Sequence, residues 1–149
     1  MLTSYISPSD IKFNLESTDK EECFAELLEL MVSKNPKINR AEAMEALTVR
    51  EDKSSTAVYP YIAVPHAVCP SIQKTSIAIG VSRRGIEFDK SNKSVNIIFE
   101  VLFEENNTDA HLHVLRDILQ LVSNPDFVKN ILEAKDTLTI YDVIASLEN

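Results

Sequence analysis

Glycine is scarce in this sequence, which has only Gly80 and Gly85 among its 149 residues. Two glycines cannot form a glycine-rich loop around a phosphate, and neither the G-x-G-x-x-G motif nor the P-loop motif is present. The G-x-S-x-G nucleophile elbow is absent as well, although residue counts leave a Ser-His-Asp triad open. A phosphate-binding site of the common glycine-rich kind is therefore excluded.

Cysteine is equally rare, with Cys23 and Cys69 the two examples. Cysteines so far apart do not suggest a disulfide framework, and both are predicted to be free thiols. His66 and Cys69 have H-x-x-C spacing, and His111 and His113 supply two more imidazoles, so a metal site is the rival chemistry. Because a second cysteine pair is missing and the last two histidines diverge by about half a helical turn, we predict no metal and no cofactor.

Long apolar runs and excess positive charge are also missing. The longest apolar stretch, residues 97–103, is interrupted by Glu100 and is far too short to span a bilayer. Residues 1–4 lack the basic start of a secretion signal, so we expect a cytoplasmic location without direct membrane insertion. Fifteen basic against 23 acidic residues give a formal net charge of -8. This balance argues against a nucleic-acid partner and for a protein partner with positive patches.

The sequence does contain alternating helix and strand signals over one domain-sized length. With 44% hydrophobic residues, residues 1–149 can bury one core and are predicted to form a single domain. Thr18 with Glu21 has the spacing of a capping box and predicts a helix from about residue 19 to 34. Asn39 with Glu42 repeats that signal and predicts a second helix to about Arg50.

The middle of the chain is typical of β-structure. Branched, aromatic or continuous apolar residues predict three strands, over residues 58–64, 75–81 and 95–103. Gly85 is predicted to lie in a turn, with an edge strand around Ile86 and Phe88.

The last third of the chain is predicted to be helical. Asn124 and Pro125 are predicted to start one helix, and Thr137 or Thr139 to cap the final one. Together these elements predict an α/β fold, a single domain with a central mixed β-sheet flanked by helices. An apolar stripe at helical spacing predicts the first helix of this part, and it consists of Ala110, Leu115, Ile118, Leu119 and Val122.

His66 is the leading candidate for a reactive side chain. It follows the apolar segment of residues 62–65, so we expect its imidazole at the end of a strand, held rigidly yet reachable. Pro65 fixes its own φ and restricts the residue before it, which stiffens the backbone that leads to His66. The alternative is a structural histidine hydrogen-bonded to a neighbouring loop.

The other two histidines differ in helical phase. Steps of four, seven and eleven residues from His111 reach Leu115, Ile118 and Val122, so its ring is predicted to point toward the sheet from the first turn of a helix. Free N–H groups there favour an anion, and His111 could donate to a phosphate or carboxylate, or else be satisfied by a carbonyl. His113 is predicted to face water.

The sequence resembles the fructose/mannitol-type enzyme IIA domains of the bacterial phosphoenolpyruvate-dependent sugar phosphotransferase system, a class that includes the nitrogen-regulatory IIA proteins. The resemblance extends over nearly the whole chain. It rests on Arg50-Glu51 before Ser55-Thr56, on Ile62-Ala63-Val64-Pro65-His66, on Asp109-Ala110-His111-Leu112 with Leu115, and on the closing segments Asn124-Pro125-Asp126-Phe127 and Tyr141-Asp142-Val143-Ile144.

The resemblance implies a phosphocarrier with a phosphohistidine intermediate. His66 would accept a phosphoryl group from the carrier protein HPr and pass it to a cysteine or histidine of a IIB component for sugar uptake. His111 would be the second active-site histidine, donating to the phosphate, and Arg50 and Thr56 would support the phosphate site. Members of the family commonly have a glycine-rich run before the A-[IV]-P-H segment, whereas residues 57–61 here read Ala-Val-Tyr-Pro-Tyr.

That departure bears on the shape of the phosphate pocket and on which IIB partner fits. It also motivates an alternative function, in which the chain is a regulatory interaction module of the nitrogen or transcriptional type whose phosphorylation state controls its partners.

Overall fold

An open mixed β-sheet lies at the centre of the computed structural model, which describes residues 1–89 and 94–148. Its order is β1-β4-β5-β2, and β3 also pairs with β5. β4 and β5 are antiparallel, whereas β1 runs parallel to β4 and both β2 and β3 run parallel to β5. The strands are β1 (Ile11–Lys12), β2 (Ile62–Ala63), β3 (His66–Val68), β4 (Ser76–Ile86) and β5 (Val95–Phe103).

Helices cover both faces of this sheet, because β5 is apolar on both sides. Phe99, Val101 and Phe103 pack in one core with the three C-terminal helices, whereas Ile98 and Leu102 pack in the other with the first two helices. The predicted α/β fold with a central mixed sheet is confirmed. The helices are α1 (Lys20–Lys34), α2 (Arg40–Lys53), α3 (Thr108–Val122), α4 (Phe127–Glu133) and α5 (Thr137–Glu148), and Leu2–Ser4 and Pro8–Asp10 form 3-10 turns.

The central strands follow the sequence closely. The prediction for residues 95–103 is confirmed by β5, and that for 75–81 corresponds to β4, which begins at Ser76 and continues to Ile86. The predicted turn at Gly85 and the separate edge strand beyond it are wrong, since Gly85 lies inside β4 with a φ of 90°. The pairing of β4 with β5 shifts between Val81 and Ile86. A Cβ at Gly85 would lie 2.4 Å from Cβ of Ser94, so this irregularity requires glycine.

The first predicted strand is largely wrong. Residues 58–61 form a turn in which Ile62 N–H donates to the Tyr59 carbonyl at 3.1 Å, and Tyr61 has a positive φ of 70°. Strand pairing begins only at Ile62. Branched and aromatic residues favour a strand locally, but here the chain turns before it reaches the edge of β5.

The expectation that His66 ends a strand is also wrong, because His66 is the first residue of β3. β2 and β3 follow one register along β5, with Ala63 opposite Ile98 and His66 opposite Val101. Between them, Pro65 has no N–H to donate to the ladder, so the edge strand is interrupted there.

Most helix starts differ slightly from the predicted ones. Asp19, not Thr18, caps α1, and its capping-box partner is Glu22. Asn39 caps α2 as predicted, and that helix extends to Lys53. Asp126 precedes α4, while Asn124 accepts from Asp126 N–H at 2.9 Å in the turn before it.

The remaining predictions concern the C-terminal helices, the thiols and membrane insertion. Asp136 accepts from Thr139 N–H at 2.8 Å, so it caps α5 in place of either threonine. Leu119 is 44% exposed and does not belong to the buried stripe of α3. Cys23 and Cys69 are free thiols, as predicted. Across residues 1–89 and 94–148, no helix combines the length and apolarity that a membrane crossing needs.

Candidate active site

His66 lies at the interruption of the edge strand. The Pro65 carbonyl accepts from Val101 N–H at 2.9 Å, which anchors the interruption to β5. Nδ1 of His66 lies 2.7 Å from the Val64 carbonyl oxygen. Because a carbonyl only accepts, Nδ1 must carry the hydrogen, and in the neutral ring Nε2 then has a free lone pair. The hydrogen-bond partner of His66 is therefore Val64, two residues earlier in the link between β2 and β3.

His111 reaches the same place from α3. It is the fourth residue of that helix, whose first turn is capped by Asn107 accepting from Ala110 N–H. Its half-buried ring packs against Phe103, with centroids 3.8 Å apart, and lies 6.4 Å from the His66 ring at an interplanar angle of 89°. The ring points toward the sheet, as helical phase predicts.

Arg50 contributes positive charge beside the two histidines. It lies in the last turn of α2, and its Nη1 donates to the Ser54 carbonyl at 3.0 Å, which holds the guanidinium near the end of the helix. The structure thus brings Arg50, His66 and His111 together in one groove of about 510 Å³. Its lining consists of Glu42, Glu45, Ala46, Val49, Arg50, Lys53, His66, Ala67, Val68 and His111.

Thr56 lies behind this groove and does not line it. Its hydroxyl donates to one oxygen of the Glu51 carboxylate and its N–H to the other, both at 2.6 Å. Its carbonyl accepts from Val64 N–H at 3.1 Å. Thr56 is 3% exposed and Glu51 4%, so the hydroxyl is used inside the protein.

The surroundings of the two histidines favour their neutral forms. Burial is the main reason that the pKa of His66 lies below its usual value, and the electrostatic influence of Arg50 and of His111 lowers it further. The Val64 carbonyl and the charge of Glu51 act in the opposite direction. Burial also lowers the pKa of His111. A neutral His66 with a free Nε2 can act as a nucleophile.

The other residues considered for chemistry lie elsewhere or are engaged. His113 is exposed on α3, as predicted. The Cys69 thiol donates to the Glu42 carboxylate at 3.1 Å, so the H-x-x-C pair is not directed at one point. Within residues 1–89 and 94–148, no three His, Cys, Asp or Glu side chains are grouped so that they could hold a metal ion.

Glu51 was not among the predicted site residues. The signal for its burial is helical phase, since steps of four from Ala43 reach Leu47 and then Glu51, all three of which are buried in α2. A glutamate on the apolar face of a helix needs hydrogen-bond donors, and the sequence alone does not show that Thr56 supplies them.

The sequence matches the family described as "Phosphoenolpyruvate-dependent sugar phosphotransferase system, EIIA 2" over residues 4–147. The chain belongs to this family. Membership supports a general phosphotransferase role for this EIIA chain. The pairing of a nucleophilic imidazole with a second imidazole and an arginine is compatible with that role.

Relatives of this EIIA chain include both sugar-transport and regulatory proteins. It is 30% identical over 145 residues to the PTS system fructose-specific EIIABC component of Bacillus subtilis, covering 96% of this chain but 23% of that protein. It is 30% identical to the fructose-specific EIIA component of Haloferax volcanii, covering 86% of this chain and 84% of the relative. It is 28% identical to a nitrogen regulatory protein of Bradyrhizobium diazoefficiens, covering 97% and 94%.

Solved structures share the fold of this EIIA chain. The nitrogen regulatory protein IIA-Ntr of Neisseria meningitidis superimposes with a TM-score of 0.86 at 23% identity, covering 96% of this chain and 98% of that one. The mannitol enzyme IIA in its complex with phosphorylated IIB from Escherichia coli gives a TM-score of 0.80 at 16% identity, covering 95% and 97%. In that complex a IIA domain contacts its IIB partner.

Proposed function

We propose that this EIIA chain is a cytoplasmic phosphocarrier in which Nε2 of His66 accepts a phosphoryl group from HPr and passes it to a IIB component. The observation that carries the proposal is the 2.7 Å hydrogen bond from Nδ1 of His66 to the Val64 carbonyl. It assigns the hydrogen to Nδ1 and leaves the Nε2 lone pair for attack. As the bond between Nε2 and phosphorus forms, the bond between phosphorus and HPr breaks.

The neighbours of His66 have supporting roles in this proposal. His111 donates a ring N–H to a phosphoryl oxygen, since its imidazole makes no hydrogen bond to another of the described residues. Arg50 stabilises the negative charge of the phosphoryl group from the end of α2. Thr56 supports the site by holding the segment beside Val64, because its hydroxyl is already donated to Glu51.

The lowered pKa of His66 fits a carrier that must load and unload. A ring that is neutral at cellular pH can attack phosphorus without first losing a proton. The groove is open to a docked protein, so the acceptor can meet HPr and IIB in turn. The acidic surface, with a formal net charge of -8, would attract partners with basic rims.

Phosphorylated HPr tests this proposal directly. The wild-type chain and His113→Ala should take up the phosphoryl label at similar rates, whereas His66→Ala should take up none. His111→Ala should slow the uptake by about 10²–10³-fold, the usual cost of losing one donor to developing negative charge. Label on His66→Ala at the wild-type level would refute the assignment of His66.

A regulatory role is the second candidate function, because a nitrogen regulatory protein aligns with 97% of this chain. The two functions differ in the fate of the phosphoryl group. A phosphocarrier should transfer it from His66 to a purified fructose- or mannitol-type IIB component. If the chain is phosphorylated by HPr but no such IIB accepts the group, the regulatory function is favoured.

A further inference from the structure

Glu51 is a buried carboxylate whose contacts lead toward the reactive ring. It lies near the end of α2 and is 4% exposed. Both of its oxygens are used by a single residue, since Thr56 donates its N–H to Oε2 and its hydroxyl to Oε1, each at 2.6 Å. Two donors from one residue fix both the position and the orientation of the Thr56 backbone.

The Thr56 backbone in turn holds the residue that orients His66. The Thr56 carbonyl accepts from Val64 N–H at 3.1 Å, and the Val64 carbonyl accepts from Nδ1 of His66 at 2.7 Å. Both backbone groups of Val64 are thus used away from β5. From His66 to Glu51 each hydrogen bond fixes the backbone that supplies the next one, so the contacts form a continuous mechanical link.

The Val64 side chain packs in the core, but among the described residues few backbone hydrogen bonds hold this part of the edge strand. Pro65 cannot donate, and its carbonyl provides the link to β5 through Val101 N–H. The opposite side of the strand at Val64 is held by Thr56. If the Thr56 segment moved, the Val64 carbonyl could turn away. The His66 ring would then lose the acceptor that keeps its hydrogen on Nδ1.

We propose that Glu51 is a positioning residue for phosphoryl transfer, which acts through Thr56 and Val64 to hold the His66 ring in the Nδ1–H tautomer with Nε2 directed at the groove. The effect on transfer rests on the proposed function, because it assumes that Nε2 of His66 is the acceptor. The effect on the tautomer does not depend on that function.

Glu51→Gln tests the proposal with little change in size. An amide places an NH₂ group, which only donates, where one of the two accepting oxygens of Glu51 stood, so one donor of Thr56 loses its acceptor. In wild-type protein, ¹⁵N chemical shifts of the His66 imidazole should report the Nδ1–H tautomer, and in Glu51→Gln they should report a mixture. Phosphorylation by phosphorylated HPr should slow by about 10–100-fold in kcat with KM unchanged, since the ring and not the docking surface is altered.

Thr56 provides a matched pair of variants. Thr56→Val keeps the shape and the N–H but loses the hydroxyl, and it should shift the tautomer in the same direction as Glu51→Gln. Thr56→Ser keeps both donors and should retain the wild-type Nδ1–H tautomer. The Thr56 pair decides the question if Glu51→Gln does not fold, which circular dichroism would reveal.

Two results would overturn the proposal. One is a folded Glu51→Gln or Thr56→Val protein in which His66 keeps the pure Nδ1–H tautomer, whatever its rate of transfer. The other is a variant whose His66 tautomer changes while its kcat does not, provided that the wild-type protein is phosphorylated on His66. If the tautomer shifts but wild-type His66 is never phosphorylated, the phosphocarrier function fails while the link from Glu51 to His66 stands.

Discussion

Glu51 and Glu100 are both withdrawn from water, but their surroundings are opposite. Glu51 is 4% exposed and accepts two hydrogen bonds from Thr56 next to the candidate active site. Glu100 is fully buried in the middle of β5, and neither of its carboxyl oxygens has a hydrogen-bond partner among residues 1–89 and 94–148. Burial alone therefore does not determine what a carboxyl group does in this protein.

The difference lies in the donors that each position offers. At the end of α2 the chain turns back and presents an N–H and a hydroxyl to Glu51. On β5 the neighbours of Glu100 on the same face are Ile98 and Leu102, which offer none. Burial raises the pKa of Glu100 well above its usual value, so the neutral acid is favoured there. The Glu51 carboxylate orders the Thr56 segment, whereas the buried Glu100 carboxyl group destabilises the core.

Glu51→Ala should have the largest effect on stability. It leaves two buried donors of Thr56 without an acceptor, so the free energy of unfolding should fall by about 2–6 kcal/mol, at about 1–3 kcal/mol for each donor. Urea denaturation would measure this. Glu45→Ala, an exposed position on the same helix, should change stability by no more than about 0.5 kcal/mol. Equal losses in the two variants would mean that the Thr56 contacts contribute nothing.

Glu100→Met should have the opposite effect and increase the stability of the protein. Methionine fills a similar volume without a polar group to desolvate, so even near pH 4 the free energy of unfolding should rise by about 1–3 kcal/mol. Glu105→Met, at an exposed position beyond β5, is the matched control and should be nearly neutral. A destabilised Glu100→Met protein would show that the carboxyl group contributes a favourable contact, and the contrast with Glu51 would disappear.

The advantage of Glu100→Met should also grow with pH. The folded-state pKa of Glu100 is raised, so the folded protein keeps a proton that the unfolded chain loses above about pH 4.3. Wild type therefore loses up to about 1.4 kcal/mol per pH unit relative to Glu100→Met, until the folded-state pKa is reached. Denaturation of both proteins from pH 4 to 8 measures the difference, and a constant difference would contradict the raised pKa.

The smallest expected effect is on the titration of His66. The charge of Glu51 raises the pKa of His66, whereas burial, Arg50 and His111 lower it. The wild-type midpoint should therefore lie below about 6.5, the ordinary histidine value. Glu51→Gln should lower it further, and Glu100→Met should leave it unchanged. An NMR titration of the His66 ring checks this, and equal shifts in the two variants would show that Glu51 has no special electrostatic link to the site.

Much of the fold follows from local patterns, and the exceptions have identifiable causes. β5 was predicted to the residue because both of its faces are apolar. The stripe predicted the existence of α3 but not its ends, and the structure adds the Asn107 cap. α1 begins one residue later than predicted. Thr18 with Glu21 and Asp19 with Glu22 are overlapping candidates for a capping box, and only the second pair forms one. Residues 58–61 favour a strand by composition, but the chain turns there, with Tyr61 at a positive φ of 70°, and among the described residues only its carbonyl is shown to bond to β5, accepting from Asn96 and Ile97 N–H.

The sequence by itself indicated the candidate reactive histidines and, for His111 and His113, which way they face. Helical phase separated His111 from His113, and Pro65 marked the stiff approach to His66. Only the tertiary structure decided that the edge strand is interrupted at Pro65, that the ring of His66 donates to Val64, and that Thr56 satisfies Glu51. Hydrogen bonds between residues in different elements depend on distances across the fold, and a one-dimensional pattern does not contain those distances.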